Sequence, residues 1–202
     1  MSANEPLDLT QRYGEAWCVT VTALPVDAAL AAMGVHAPTP VADGPLLVDQ
    51  HEETILLAHQ ITPAHALVLQ LDPTGGWIGT DADVLHALAP HTTACTITYL
   101  PNNQEAWFAE PDHALSGIDP VTGRRWGTCG PDLTTSLDHL GYPADADEPS
   151  DELAQYTFSQ CAALILRAAT GLHLVPEHFD NPWIGGARPV DPDQVRDQVA
   201  AL

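Results

Sequence analysis

Lysine does not occur in the 202-residue chain, and its only strong bases are six arginines set against twenty-seven acidic side chains. The formal charge of −21 repels phosphate backbones and anionic membrane surfaces, and attracts cationic partners over a Debye length of about 8–10 Å. Neither direct nucleic-acid binding nor membrane attachment is expected. No apolar run approaches the ~20 residues that span a bilayer. The first ten residues lack the basic n-region of a secretory signal, so a cytoplasmic location is expected. Cys-x-x-Cys is missing too: Cys18, Cys95, Cys129 and Cys161 lie far apart, which argues against structural zinc and a redox dithiol and for buried, reduced thiols. Gly-x-Ser-x-Gly, a P-loop and Gly-x-Gly-x-x-Gly are all absent, so no catalytic residue and no cofactor is assigned.

The missing lysine, with abundant alanine and Asp exceeding Glu, is what a high-GC genome writes; selected electrostatics is the rival account. The acids are denser toward the C-terminus, with fifteen in residues 1–130 and twelve in the remaining 72, three arginines going to each part. A connector over residues 143–152 carries Asp145, Asp147, Glu148, Asp151 and Glu152 without one base.

An apolar fraction of 45% suits a globular domain, and one domain is expected over residues 1–202. Residues 17–24 read as a strand and Pro25 opens a short helix stopped by Gly34. After a proline-rich stretch from Val35 to Glu53, two strands over 54–61 and 66–72 form a hairpin. Thr80 is a candidate cap for a helix that buries Val84, Leu85 and Leu88. Over 93–100, Cys95, Ile97 and Tyr99 alternate with Thr96 and Thr98, and strands over 104–110 and 114–118 follow. The order is that of a ferredoxin-like βαββαβ unit with an extra hairpin. The expected class is therefore α+β, with an antiparallel sheet over about 15–120 and a helical region over about 131–202. That region holds helices from Asp132 to Gly141, over 151–170 with Ser150 as cap, and from Asp191 with Val195, Val199 and Leu202 on one face.

Three kinds of site can be read from these residues. His51, Glu52 and Glu53 are the densest candidate ligands, with His59 and His65 near the hairpin ends, but they lie by a proline-rich loop and no metal site is assigned. Glu105 and Glu110 fall on opposite faces of an unbulged strand, and Pro111 ends the strand between Glu110 and Asp112, which argues against an acid–base pair. Arg124, Arg125, Trp126, Gly127, Thr128 and Gly130 form a glycine-rich loop before a helix, the one place with adjacent bases and a candidate anion site. Its two arginines could equally pair with neighbouring acids. Among the tryptophans, Trp107 is expected as a core lid sharing a face with Ala109, and Trp183, in an apparent loop, as an exposed anchor.

The run from Cys18-Val19-Thr20-Val21 to Met33-Gly34, then Gly76-Trp77-Ile78-Gly79, Thr96-Ile97-Thr98-Tyr99, Ile118-Asp119-Pro120 and Thr170-Gly171-Leu172-His173-Leu174 resembles an uncharacterised, mainly actinobacterial domain-of-unknown-function family. The resemblance covers roughly residues 15–187. It implies a single cytoplasmic domain and transfers no catalytic residue, since that family has no known activity.

The leading expectation is a non-enzymatic acidic module that binds a basic protein, as an immunity protein neutralises a basic toxin or nuclease. Asp145, Asp147, Glu148, Asp151, Glu152 and Trp183 would meet that partner. The alternative is a sensor or enzyme holding a small anion at the Arg124/Arg125 loop; a third reading is a DNA mimic.

Overall fold

Strands whose side chains are apolar on both faces need cover on both, and five helices among the described residues supply it. The computed structural model describes residues 6–41, 53–71, 76–144, 149–180 and 182–189. Its strands are β1 (Trp17–Thr22), β2 (Thr39–Val41), β3 (Glu53–Thr62), β4 (His65–Gln70), β5 (Ala94–Leu100), β6 (Asn103–Ala109), β7 (Ser116–Ile118), β8 (Arg125–Trp126) and β9 (Trp183–Pro189). The helices are α1 (Leu9–Tyr13), α2 (Val26–Ala32), α3 (Ala82–Ala87), α4 (Pro131–Leu140) and α5 (Phe158–Thr170).

All paired strands are antiparallel, in one sheet of order β2-β9-β3-β4-β1-β5-β6-β7-β8. The α+β class and antiparallel sheet are as expected. The ferredoxin-like order is not that of this nine-stranded sheet. The strands expected over 17–24, 54–61, 66–72 and 93–100 form its middle, and those expected over 104–110 and 114–118 follow as β6 and β7. But β9 returns from the supposedly helical region to pair with β3, β2 lies beyond it, and β8 ends the other side.

The period of two along each strand sorts side chains into two cores. Trp17, Val19 and Val21 of β1 join Leu67 and Leu69 of β4, Cys95 and Ile97 of β5 and Phe108 of β6, against Leu133 and Leu137 of α4 and Ile165 of α5. On the other face Leu56, Ala58, Ala66 and Val68 meet Ala29 and Leu30 of α2 and Val84 and Leu85 of α3. Trp107 and Ala109 belong to this second face, as their shared parity requires.

Polar groups interrupt the second face and bond to each other. The Thr20 and Thr96 hydroxyls lie 2.8 Å apart, and Gln70 donates to the Gly76 carbonyl and accepts from the Ile78 N–H. The 3-10 turn Ile78–Thr80 sits over the threonine pair at Gly79, where a Cβ would come within 2.4 Å of the Thr20 hydroxyl oxygen. Asp81, rather than Thr80, then caps α3 by accepting from Asp83 and Val84 N–H.

The single helix expected over 151–170 is two pieces, a 3-10 turn at Asp151–Gln155 and α5. Thr157 causes the break. Its hydroxyl accepts from the Gln160 N–H at 3.2 Å while the Gln160 side chain accepts from the Thr157 N–H at 2.9 Å, a reciprocal capping box that starts a new helix. α4 starts at Pro131 and stops at Gly141, whose φ of 108° takes the left-handed conformation glycine allows. The helix expected from Asp191, with Val195, Val199 and Leu202, lies outside the described residues.

Candidate functional site

The hairpin between β7 and β8 shapes one wall of a groove. Asp119 folds its turn by accepting from the Val121 and Thr122 N–H groups at 2.8 and 3.2 Å. Val121 is left at the tip, 55% exposed. Below the turn, Arg125 and Tyr142 lock it in place. The Arg125 guanidinium donates to the Asp138 carboxylate at 2.7 Å and to the Tyr142 carbonyl, and the buried Tyr142 hydroxyl donates to the Pro120 carbonyl at 2.9 Å. Burial is the main force that raises the Tyr142 phenol above its usual range, so it remains a donor.

The opposite wall is the segment from Pro149 to Phe158. The Ser150 N–H donates to the Gly141 carbonyl at 2.7 Å, and the 3-10 turn that follows buries Leu153. Leu153, Tyr156, Phe158 and Cys161 line the groove on this side, and Pro120, Val121 and Thr122 on the other, around about 660 Å³. That size falls in the range of about 300–1,000 Å³ typical of ligand pockets. Cys161 contributes an apolar surface: the residue is 5% exposed, and burial pushes its thiol pKa up.

Asp151 lies on the rim, and Asp151 and Glu152 are both exposed. The ion pairs among the described residues, Arg12–Asp180 and Arg125–Asp138, involve neither. Asp145, Asp147 and Glu148 lie outside the described residues. Trp183 is no exposed anchor. It is 5% exposed at the start of β9, its ring edge-on to His59 at 4.4 Å. The glycines after it, which read as a loop, serve close strand contact: a Cβ on Gly185 would lie 2.6 Å from the Leu56 carbonyl oxygen.

The glycine-rich loop does not converge on one point. Arg125 and Trp126 are neighbours on β8, so Arg125 turns toward α4 while Trp126 lies over Gly117 and packs edge-on against Trp107 at 4.4 Å. Arg124 and Thr128 are exposed, and Gly127, at φ 69°, fits its Cα against the Leu115 carbonyl. The Gly130 N–H at the start of α4 already holds an anion, donating to the Glu110 carboxylate at 2.7 Å. Glu105 is likewise engaged, accepting from the Trp107 indole N–H at 3.0 Å. Among the described residues, no three His, Cys, Asp or Glu side chains are grouped to hold a metal ion.

Two features escaped the sequence reading. The groove joins two stretches separated in the chain, 120–122 and 149–161, and only Val121, an aliphatic residue in a polar turn, signalled it locally. His59 shares strand parity with Leu57 and Ile61 and is 3% exposed, with neither ring nitrogen hydrogen-bonded. Burial, and then His178, lowers its pKa from 6.5 to about 4.

No protein-family model matches the chain, and searches of curated proteins and of solved structures find none similar to it. Among the described residues no helix is long and apolar enough to cross a membrane.

Proposed function

We propose that this protein is a non-enzymatic acidic module that binds a basic protein, in the manner of an immunity-type inhibitor of a basic toxin or nuclease. The observation that carries the reading is the exposed pair Asp151 and Glu152, without a counter-cation among the described residues, beside an open groove in a chain of charge −21. Asp145, Asp147 and Glu148 precede that pair in the sequence and add to the same charge. Such a run steers a cationic surface into encounter and offers carboxylates to its arginines. An anion held at the Arg124/Arg125 loop has less support, because Asp138 and Glu110 already occupy the donors it would need.

The test compares the immobilised protein with a variant carrying Asp145→Asn, Asp147→Asn, Glu148→Gln, Asp151→Asn and Glu152→Gln, each exposed to lysate of the source organism. A basic protein retained by the parent at about 50 mM salt, released by about 500 mM, and lost by the variant is expected. Retention unaffected by salt or by the substitutions, or no basic protein retained, overturns the reading.

A further inference from the structure

We propose that the groove between the Asp119–Arg125 turn and the start of α5 seats one large apolar side chain of the partner, with an arginine next to it paired to Asp151; this rests on the acidic-module reading above. Leu153 and Cys161, each 5% exposed, make a buried apolar floor, while Tyr156 and Phe158 are half-buried and add aromatic surface. Val121 is the one large hydrophobic side chain among the described residues that stands exposed, and it stands at this rim. Exposed apolar surface around a preformed pocket is the usual setting of an interface anchor, where a few residues carry most of the binding energy.

Charge complementarity selects what flanks the anchor. Among the described residues, Asp151 is the only charged one lining the groove. Arg125, on the strand that follows the turn, is held by Asp138 and the Tyr142 carbonyl with its side chain 12% exposed, and neither it nor Arg124 lines the groove. The remaining polar side chains lining it among the described residues carry hydroxyls, Thr122, Ser150 and Tyr156, so an acidic flank would meet no counter-charge there. The preferred segment is therefore a tryptophan, phenylalanine or leucine followed by arginine.

Three capped peptides serve as probes, Gly-Trp-Arg-Arg-Gly, Gly-Ala-Arg-Arg-Gly and Gly-Trp-Glu-Glu-Gly, titrated into the whole protein and followed by amide chemical shifts. The first is expected to move amides of residues 120–122 and 150–156. Its affinity should drop at least about fivefold when its tryptophan becomes alanine, or when the protein carries Val121→Asp, a change at an exposed site that leaves the fold intact. Asp151→Asn should weaken it about threefold. If Gly-Ala-Arg-Arg-Gly binds as tightly as the first peptide, or the shifts fall away from the groove, the anchor site is overturned while the acidic reading stands. If Gly-Trp-Glu-Glu-Gly binds best, both are overturned. If no peptide binds, the anchor site is overturned and the salt-dependent capture alone decides the acidic reading.

Discussion

Replacing His59 with leucine removes a titrating group from the core, and its effect on stability follows from where that ring sits. The imidazole projects from β3 among Trp183 and Phe179, with ring centroids 4.4 and 6.3 Å away, and neither nitrogen finds a hydrogen bond. The titratable neighbour that acts on it is His178, on the 3-10 turn Pro176–Phe179, whose own pKa burial also lowers. Folding therefore favours the neutral ring. Between pH 6.5 and about 4 the unfolded chain binds a proton that the folded chain refuses, so stability falls as pH falls through that window and the loss is complete below it. At about 1.4 kcal/mol for each pH unit, that gap comes to about 3 kcal/mol. Leucine has a similar volume and nothing to protonate. It also removes two unsatisfied buried nitrogens, so the variant should match or exceed the parent at about pH 7. Urea unfolding followed by tryptophan fluorescence at steps from about pH 7 to about pH 4 gives both curves. The many carboxylates titrate in both proteins and cancel in the difference. The variant should gain about 3 kcal/mol on the parent across the window. Parallel curves, or a His59 ring proton titrating near 6.5 by NMR, refute the reasoning.

Thr157→Ala removes the hydroxyl that accepts from Gln160 and donates to Asp8 at 3.1 Å, and should cost about 1–2 kcal/mol in the same urea assay, with Thr157→Ser recovering most of it. Of the four thiols, Cys18, Cys95 and Cys161 are at most 5% exposed, and burial pushes Cys18 up to about 12 and Cys95 higher still. Ellman's reagent should thus modify one thiol of the native protein, Cys129, which is part-exposed with its Sγ donating to Ser116. More than one fast equivalent, or reaction that persists in Cys129→Ser, would contradict this.

What the sequence disclosed followed local period. The alternation of Cys95, Ile97 and Tyr99 against Thr96 and Thr98 appears in the structure face for face, because a strand buried on both sides still sorts its polar groups toward partners such as Thr20. Gly141 and Gly171 end α4 and α5 in the left-handed conformation that marks a helix stop. Glycine misled at Gly185 and Gly186, where the need was close approach between strands, and that need is visible only once β3 is beside β9. Thr157 and Gln160 held a readable capping signal, hidden by the apolar run around them. β2 was missed because Pro40 argues against a strand, yet β2 lies at the sheet edge, where a missing N–H is tolerated. At the candidate site, the acids of 145–152 were legible as charge, while the groove needed residues 120–122 brought against residues 149–161.

The place of β9 has a consequence for synthesis. Residues 183–189 leave the ribosome after every other described strand, yet they take an interior position, with β2 on one side and β3 on the other. Until then β3 presents a ten-residue open edge and β2 has no neighbour to pair with. A nascent chain therefore carries its most adhesive surface through most of its translation, and the closing pairing joins residues about 130 positions apart, the slow kind of contact. The excess of acids, already fifteen against three arginines by residue 130, keeps such intermediates apart while they wait.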